Sequence, residues 1–179
     1  MLPTTHQRIS DILSFNNVEA NIFKHKELSV DIKSPSDFAR VIGYDIKRIT
    51  KTVFVADRGA STEMRQNDPR KCFGAVCLSC CYKMNLHEVS LAFDWGGCEM
   101  AKPNELKEML DYPPMGVSPI GLGDFRLIVD QSLLSFPTII VGGGQVGVEV
   151  EIDPALLVSL TNCVTRNVIA DNSITRTRL

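Results

Sequence analysis

The chain has 179 residues, 44% hydrophobic and 22% charged. This excludes wholesale disorder and supplies one domain with a core that needs no covalent staples. With 19 lysines and arginines against 21 aspartates and glutamates, the formal net charge of -2 gives no global basic field, so any nucleic acid must be held locally.

The opening MLPTTHQRIS lacks the basic-then-apolar pattern of a secretory signal, and no apolar run approaches the roughly 20 residues of a membrane span. A cytoplasmic protein with free cysteines is expected. Ile9, Ile12 and Leu13 fall at helical spacing, with Thr4 or Thr5 available as N-cap, and predict a short opening helix. Ala20 to His25 reads as extended. Ser34-Pro35-Ser36-Asp37 then announces a second helix. Ser34 is its cap, Pro35 its first residue, and Asp37 lies in the first turn, where a carboxylate suits the dipole. Phe38, Val41 and Ile42 form the apolar face, and Gly43 is the stop.

Ile49 to Ala56, ITKTVFVA, alternates as a strand, with Ile49, Lys51, Val53 and Val55 on one face and Thr50, Thr52, Phe54 and Ala56 on the other. Lys51 departs from its face. A lysine there either blocks further pairing on an edge strand or sits where a buried face opens into a pocket. Asp57 to Lys71, polar and punctuated by Gly and Pro, is predicted to be a long connecting loop. Phe73 to Tyr82 is predicted to be a buried strand. Its Cys77, Cys80 and Cys81 lack the second ligand pair of a zinc or iron–sulfur site, Cys98 is isolated and His87 stands in a helix. Core thiols and no metal are therefore expected.

Asn85 to Phe93 is predicted helical, with Leu86, Val89 and Phe93 inward, and ends at Asp94-Trp95-Gly96-Gly97. After a brief extended CEMA segment, Pro103 opens another helix with Leu106, Met109 and Leu110 on one face. It leads into Tyr112 to Gly121, YPPMGVSPIG. Pro113, Pro114 and Pro119 fix φ and remove donors, while Gly116 and Gly121 permit close approaches. This shaped loop has two readings. It is a surface turn, or a rigid arc presenting the N–H groups of Gly116, Val117 and Ser118 to a ligand carbonyl or oxyanion.

Phe125 to Asp130 and Thr138 to Val141 read as strands joined by a turn over Ser132 to Phe136. Gly142, Gly144 and Gly147 spell G-x-G-x-x-G, but the dinucleotide fingerprint needs a following helix to receive pyrophosphate. Here Val146, Val148, Val150 and Ile152 alternate with Gly147, Glu149 and Glu151, which predicts a strand entered by a hairpin turn. Asp153-Pro154 caps a last helix carrying Leu156, Leu157 and Leu160. From Thr165 the tail carries Arg166, Arg176 and Arg178 against Asp171, and reads as a frayed terminus or a weak contact for a polyanion.

Several segments, in this order, resemble the YbaK/EbsC/ProX family of aminoacyl-tRNA editing domains: SDFARVIG, RITKTVFVA, AKPNELKEMLDYPPMGVSPIG, RLIVDQSLL and IIVGGGQVGVEVEIDPALL. Together they cover most of the chain from about Ser34 to Leu160. The resemblance implies an α+β fold, with a mixed, partly barrel-like β-sheet flanked by short helices. A single domain over 1–179 is expected, with an N-terminal helix and strand in 1–33 and a tail over 165–179.

The resemblance also implies a hydrolase that deacylates mischarged aminoacyl-tRNA, typically a small amino acid on proline tRNA. The implied partners are the tRNA acceptor end and prolyl-tRNA synthetase, with no membrane, DNA or cofactor. Lys51 matches the family's functionally important strand lysine, and Gly116 to Pro119 match its GVSP loop. On that match Lys51 and Gly116 are the expected catalytic residues, and Met115, Val117, Ser118, Pro119, Gly142 and Glu149 the substrate-binding ones. Two positions depart from the pattern: Met115 replaces a second glycine common before the loop, and Gly142 replaces a serine that some members carry. Glu149 lies near a position that is acidic in some members.

No Ser-His-Asp or Cys-His set is evident, so the expected attacking group is water or a group of the substrate. Lys51 would orient the substrate's polar end, and the amides from Gly116 to Ser118 would polarise the carbonyl. The alternative is a non-catalytic module of the same fold that binds aminoacyl-tRNA or a synthetase, a reading favoured by Met115. A thiol-based metal or redox protein is a third.

Overall fold

The computed structural model describes residues 5–174. Helix α1 (Thr5–Phe15) buries Ile9 and Leu13, and the cap position at Thr4 lies outside the described residues. Strand β1 (Asn21–Lys24) and helix α2 (Pro35–Ile42) follow. Helix α2 begins and ends where its punctuation requires. Ser34 Oγ accepts the Asp37 amide, and Gly43 closes the helix at φ 72°, in the left-handed region that glycine enters without a steric cost.

Strand β2 (Thr50–Asp57) is followed by α3 (Thr62–Asn67) and α4 (Pro69–Cys72), where a loop is expected. Helix α3 has no apolar stripe for periodicity to detect. It is capped by Ser61 and tied down through Arg65, which reaches Glu99 at 2.6 Å and Glu105 at 2.8 Å. The next predicted strand is two, β3 (Phe73–Ser79) and β4 (Tyr82–Met84), because the chain turns at Cys80 and Cys81. Helix α5 (Leu86–Phe93) buries Val89 and Phe93, but Leu86 is exposed rather than inward.

Strand β5 (Cys98–Met100), α6 (Pro103–Leu110), β6 (Arg126–Asp130), β7 (Ile139–Gly142), β8 (Val148–Ile152) and α7 (Pro154–Leu160) follow in order. The segment read as a frayed tail instead contributes β9 (Cys163–Arg166), parallel to β6, and β10 (Ile169–Ile174), antiparallel to β4. The buried Asp130 carboxylate holds the connection by accepting the Val168 amide at 2.9 Å. Arg176 and Arg178 lie outside the described residues.

The strands form a five-stranded mixed sheet, β5-β2-β3-β6-β9, an antiparallel sheet, β1-β8-β7, and the pair β10-β4. One face of β2 packs Phe54 and Ala56 with Ile139, Val141, Val150 and Ile152, and the other packs Val55 with Val76, Leu78 and Phe93. The two larger sheets meet at a parallel Ile49–Ile140 bridge, where Thr50 Oγ1 donates to Ile140 O at 2.7 Å. They do not close into a barrel.

A cavity at the seam between the sheets

Strand β5 pairs only with Val55 to Asp57, so it leaves the Lys51 end of β2 open to β7. Lys51 lies two residues beyond the isolated Ile49–Ile140 bridge, and Gly142 lies directly opposite Glu149 across the β7–β8 hairpin. Lys51, Gly142 and Glu149 line a cavity of about 440 Å³, whose apolar wall includes Ile32, Phe38, Ile49 and Val117. Of the two readings of Lys51, this position corresponds to the pocket.

The proline-rich loop leans over the same cavity. The buried Tyr112 hydroxyl donates to Ile120 O at 2.8 Å and pins the loop's two ends together. The Val117 carbonyl oxygen presses on Gly142, and a side chain on Gly116 would meet the Gln145 backbone at 3.0 Å. The two glycines let the loop and the hairpin turn touch through their backbones.

Loop residues expected together at the site separate in the structure. Pro114, Met115 and Val117 line the cavity, whereas Gly116, Ser118 and Pro119 do not. The Gly116 amide is not free, because it donates to Pro113 O at 2.9 Å. Ser118 is fully buried, with its Oγ accepting the Ile120 amide, and Pro119 lines a separate cavity of about 270 Å³ beside Ile12 and Leu160. The amides of Val117 and Ser118 make no hydrogen bond among the described residues, an arrangement that buried backbone rarely tolerates without a ligand or water. Met115 is 83% exposed on the rim and does not crowd the interior.

Lys51 Nζ donates to Tyr82 O at 2.6 Å, which fixes the side chain and leaves two of its three donors for a ligand. Burial lowers its pKa, against an opposing influence of Cys80 and Cys81. Burial pushes the Cys80 thiol, also on the wall, up to about 12, so it stays protonated near neutral pH. Glu149 is pushed up to about 8 by burial. Its neighbour His25, with Nε2 3.7 Å away, is lowered by burial. His25 has no signal in the sequence. It reaches the site because β1 pairs with β8, setting Phe23 opposite Glu149.

The model of the aminoacyl-tRNA editing domain matches residues 29–160. Among solved structures, a proposed trans-editing enzyme for prolyl-tRNA synthetase superposes with a TM-score of 0.77 at 17% identity, covering 95% of this chain and 99% of its own. A hypothetical protein matches with a TM-score of 0.75 at 22% identity, over 91% of this chain and 99% of its own. The fold also forms 31% of a larger protein from Marinobacter aquaeolei VT8, proposed to act in signal transduction, with a TM-score of 0.63 at 11% identity over 96% of this chain. At these identities the structures establish the fold alone, while the family model spans most of the sequence and includes both the lysine strand and the loop over the cavity. The chain belongs to the YbaK-type aminoacyl-tRNA editing domain family.

Proposed function

We propose that the chain hydrolyses the ester joining a small amino acid to the terminal adenosine of tRNA, with proline tRNA as the carrier. One observation carries this reading: Lys51, Gly142 and Glu149 line a single cavity together with Val117, whose amide is unpartnered among the described residues. The free donors of Lys51 bind the polar end of the ester, and the Val117 amide, on the cavity wall, receives its carbonyl oxygen as negative charge develops there. Water or a hydroxyl of the substrate attacks. The protonated Cys80 thiol is no nucleophile at neutral pH.

The apolar wall sorts by size, at about 1–3 kcal/mol per methylene, which makes editing as a separate step a sensible use of such a pocket. A net charge of -2 suits a protein that touches only the acceptor end or borrows tRNA affinity from prolyl-tRNA synthetase. Among the described residues no helix is long and apolar enough to cross a membrane, and a cytoplasmic location belongs to the proposal. The test is amino-acid release from tRNA charged separately with alanine, cysteine, serine and proline. Release of a small residue with proline retained is expected. Binding of charged tRNA without any release would make the protein a non-catalytic module, a reading that loses its main support with Met115 on the rim.

A further inference from the structure

The turn between β3 and β4 carries Cys80 and Cys81. Neighbouring side chains of a strand point to opposite faces, so only a bend brings two consecutive thiols together. Here the two interact side chain to side chain, both residues are half-buried, and neither is in a disulfide. The turn is held through its backbone, where the Cys80 amide donates to Ile49 O at 2.8 Å and the Cys81 amide to Ser79 Oγ at 3.3 Å. Cys80 lines the cavity at the seam, and Cys81 lies outside its wall.

The residue that follows these thiols anchors Lys51. Tyr82 O, one peptide beyond Cys81, accepts from Lys51 Nζ at 2.6 Å, and the ammonium charge acts on both thiols. A disulfide between consecutive residues closes a small ring that includes the peptide bond joining them. Consecutive Cα atoms lie about 3.8 Å apart, under the roughly 4.4–6.8 Å that disulfides usually span. Ring closure must therefore turn the backbone that carries Tyr82 O, and a disulfide outside the usual span is readily reduced again.

We propose that Cys80 and Cys81 are a reversible oxidation site, which peroxide converts to a disulfide that draws Tyr82 O away from Lys51 and lowers turnover. The effect on turnover rests on the deacylase reading; formation of the disulfide does not. The Cys81 sulfur attacks one peroxide oxygen, the O–O bond breaks, and a water and a Cys81 sulfenic acid result. The Cys80 sulfur then attacks the Cys81 sulfur, the S–O bond breaks, and the departing hydroxide takes the Cys80 proton as a second water. Two thiols and one hydrogen peroxide thus give one disulfide and two waters. Cys81 opens the sequence because burial keeps the Cys80 thiol protonated. Once Cys81 is a sulfenic acid, its charge no longer opposes ionisation of Cys80, and the Lys51 ammonium still favours it.

The test treats the full chain with hydrogen peroxide and counts alkylated cysteines after denaturation. Two of the six cysteines are expected to become unavailable, fragmentation of the peptide 72–83 places the link at Cys80 and Cys81, and dithiothreitol restores both. Deacylation is expected to fall about 100-fold, the cost of misplacing a substrate by an ångström, and to return with the reductant. Lys51, released from Tyr82 O, is expected to react faster with acetic anhydride in the oxidised chain. Cys81→Ser keeps the turnover of the reduced wild type and ignores peroxide, and Cys80→Ser stops at a Cys81 sulfenic acid that dimedone traps. Melting curves establish that each variant folds; if Cys81→Ser does not, Cys81→Ala takes its place. All six cysteines still alkylated after peroxide, a link through Cys72 or Cys77, or equal sensitivity in Cys81→Ser overturns the site. A disulfide that leaves both Lys51 labelling and turnover unchanged overturns its effect on Lys51. A chain that forms the disulfide and exposes Lys51 yet releases no amino acid from charged tRNA keeps the oxidation site and loses the deacylase. One that deacylates but retains every thiol after peroxide does the reverse.

Discussion

The carbonyl oxygen of Val117 occupies the space in which a side chain on Gly142 would begin. Gly142 is not among the glycines held at positive φ, so its requirement is steric rather than conformational. The obstructing atom belongs to backbone and cannot swing aside as a flexible side chain would. Gly142→Ser must therefore push the proline-rich loop off the hairpin, at a cost of about 1–3 kcal/mol for an overpacked contact. Urea unfolding should register that loss, and deacylation should fall with it as the Val117 amide moves. Full activity and stability in the variant would mean that the loop needs no support from this contact.

Lys51 is expected to matter to turnover far more than to folding. Its one side-chain hydrogen bond among the described residues, to Tyr82 O, contributes about 0.5–1.5 kcal/mol net. Misplacing a substrate by an ångström costs about 100-fold in rate, so Lys51→Ala should lose at least that in single-turnover deacylation while melting close to the wild type. Unchanged rates across a panel of mischarged tRNAs would remove Lys51 from the mechanism.

Local punctuation made some of this legible in the sequence. Ser34, Pro35 and Gly43 set the ends of α2, and the alternation from Val148 to Ile152 replaced a helix with a hairpin. Features decided by distant pairing were not legible. Whether Lys51 blocked an edge or faced a pocket depended on how far β5 extends along β2, and His25 reached the site only through the β1–β8 ladder. Helix α3 was hidden because its attachment is ionic, through Arg65, and leaves no apolar period. Within the loop, a tight turn consumed the Gly116 amide, a detail that residue types alone do not specify.

Two glutamates one strand repeat apart on β8 face opposite fates. Glu151 accepts from Asn21, Tyr44, Thr138 and Arg48. Burial pushes its pKa up, but those hydrogen bonds and the Arg48 charge outweigh it and hold the carboxyl below its ordinary value. Arg48 is itself largely buried and lies over the Tyr44 ring. Glu151→Ala strands that guanidinium and should cost about 3–5 kcal/mol, the usual penalty for breaking a buried pair from one side. Denaturant midpoints would measure it, and a loss under about 1 kcal/mol would show that water replaces the carboxylate. Substitutions at Glu149, which has no such partners, should be far milder.

That contrast gives Glu149 a signature in pH. The unfolded chain releases its proton at the ordinary 4.5, whereas the folded chain holds it to about 8. Between these values the native state binds the extra proton, so the contribution of Glu149 to stability falls as pH rises through the window. His25 runs in the opposite sense. Its pKa is lowered by burial from 6.5, so its contribution falls as pH drops through and below that value. Lys51, which lines this cavity along with Lys33, is lowered from 10.5 by burial, so its contribution falls as pH drops through and below that value. Glu149→Gln removes the first dependence and leaves the others. The variant should match the wild type near about pH 4 and exceed it progressively toward about pH 8, where the native carboxylate must ionise in its apolar wall. Parallel melting temperatures for the two chains across that range would show that Glu149 ionises freely in the fold.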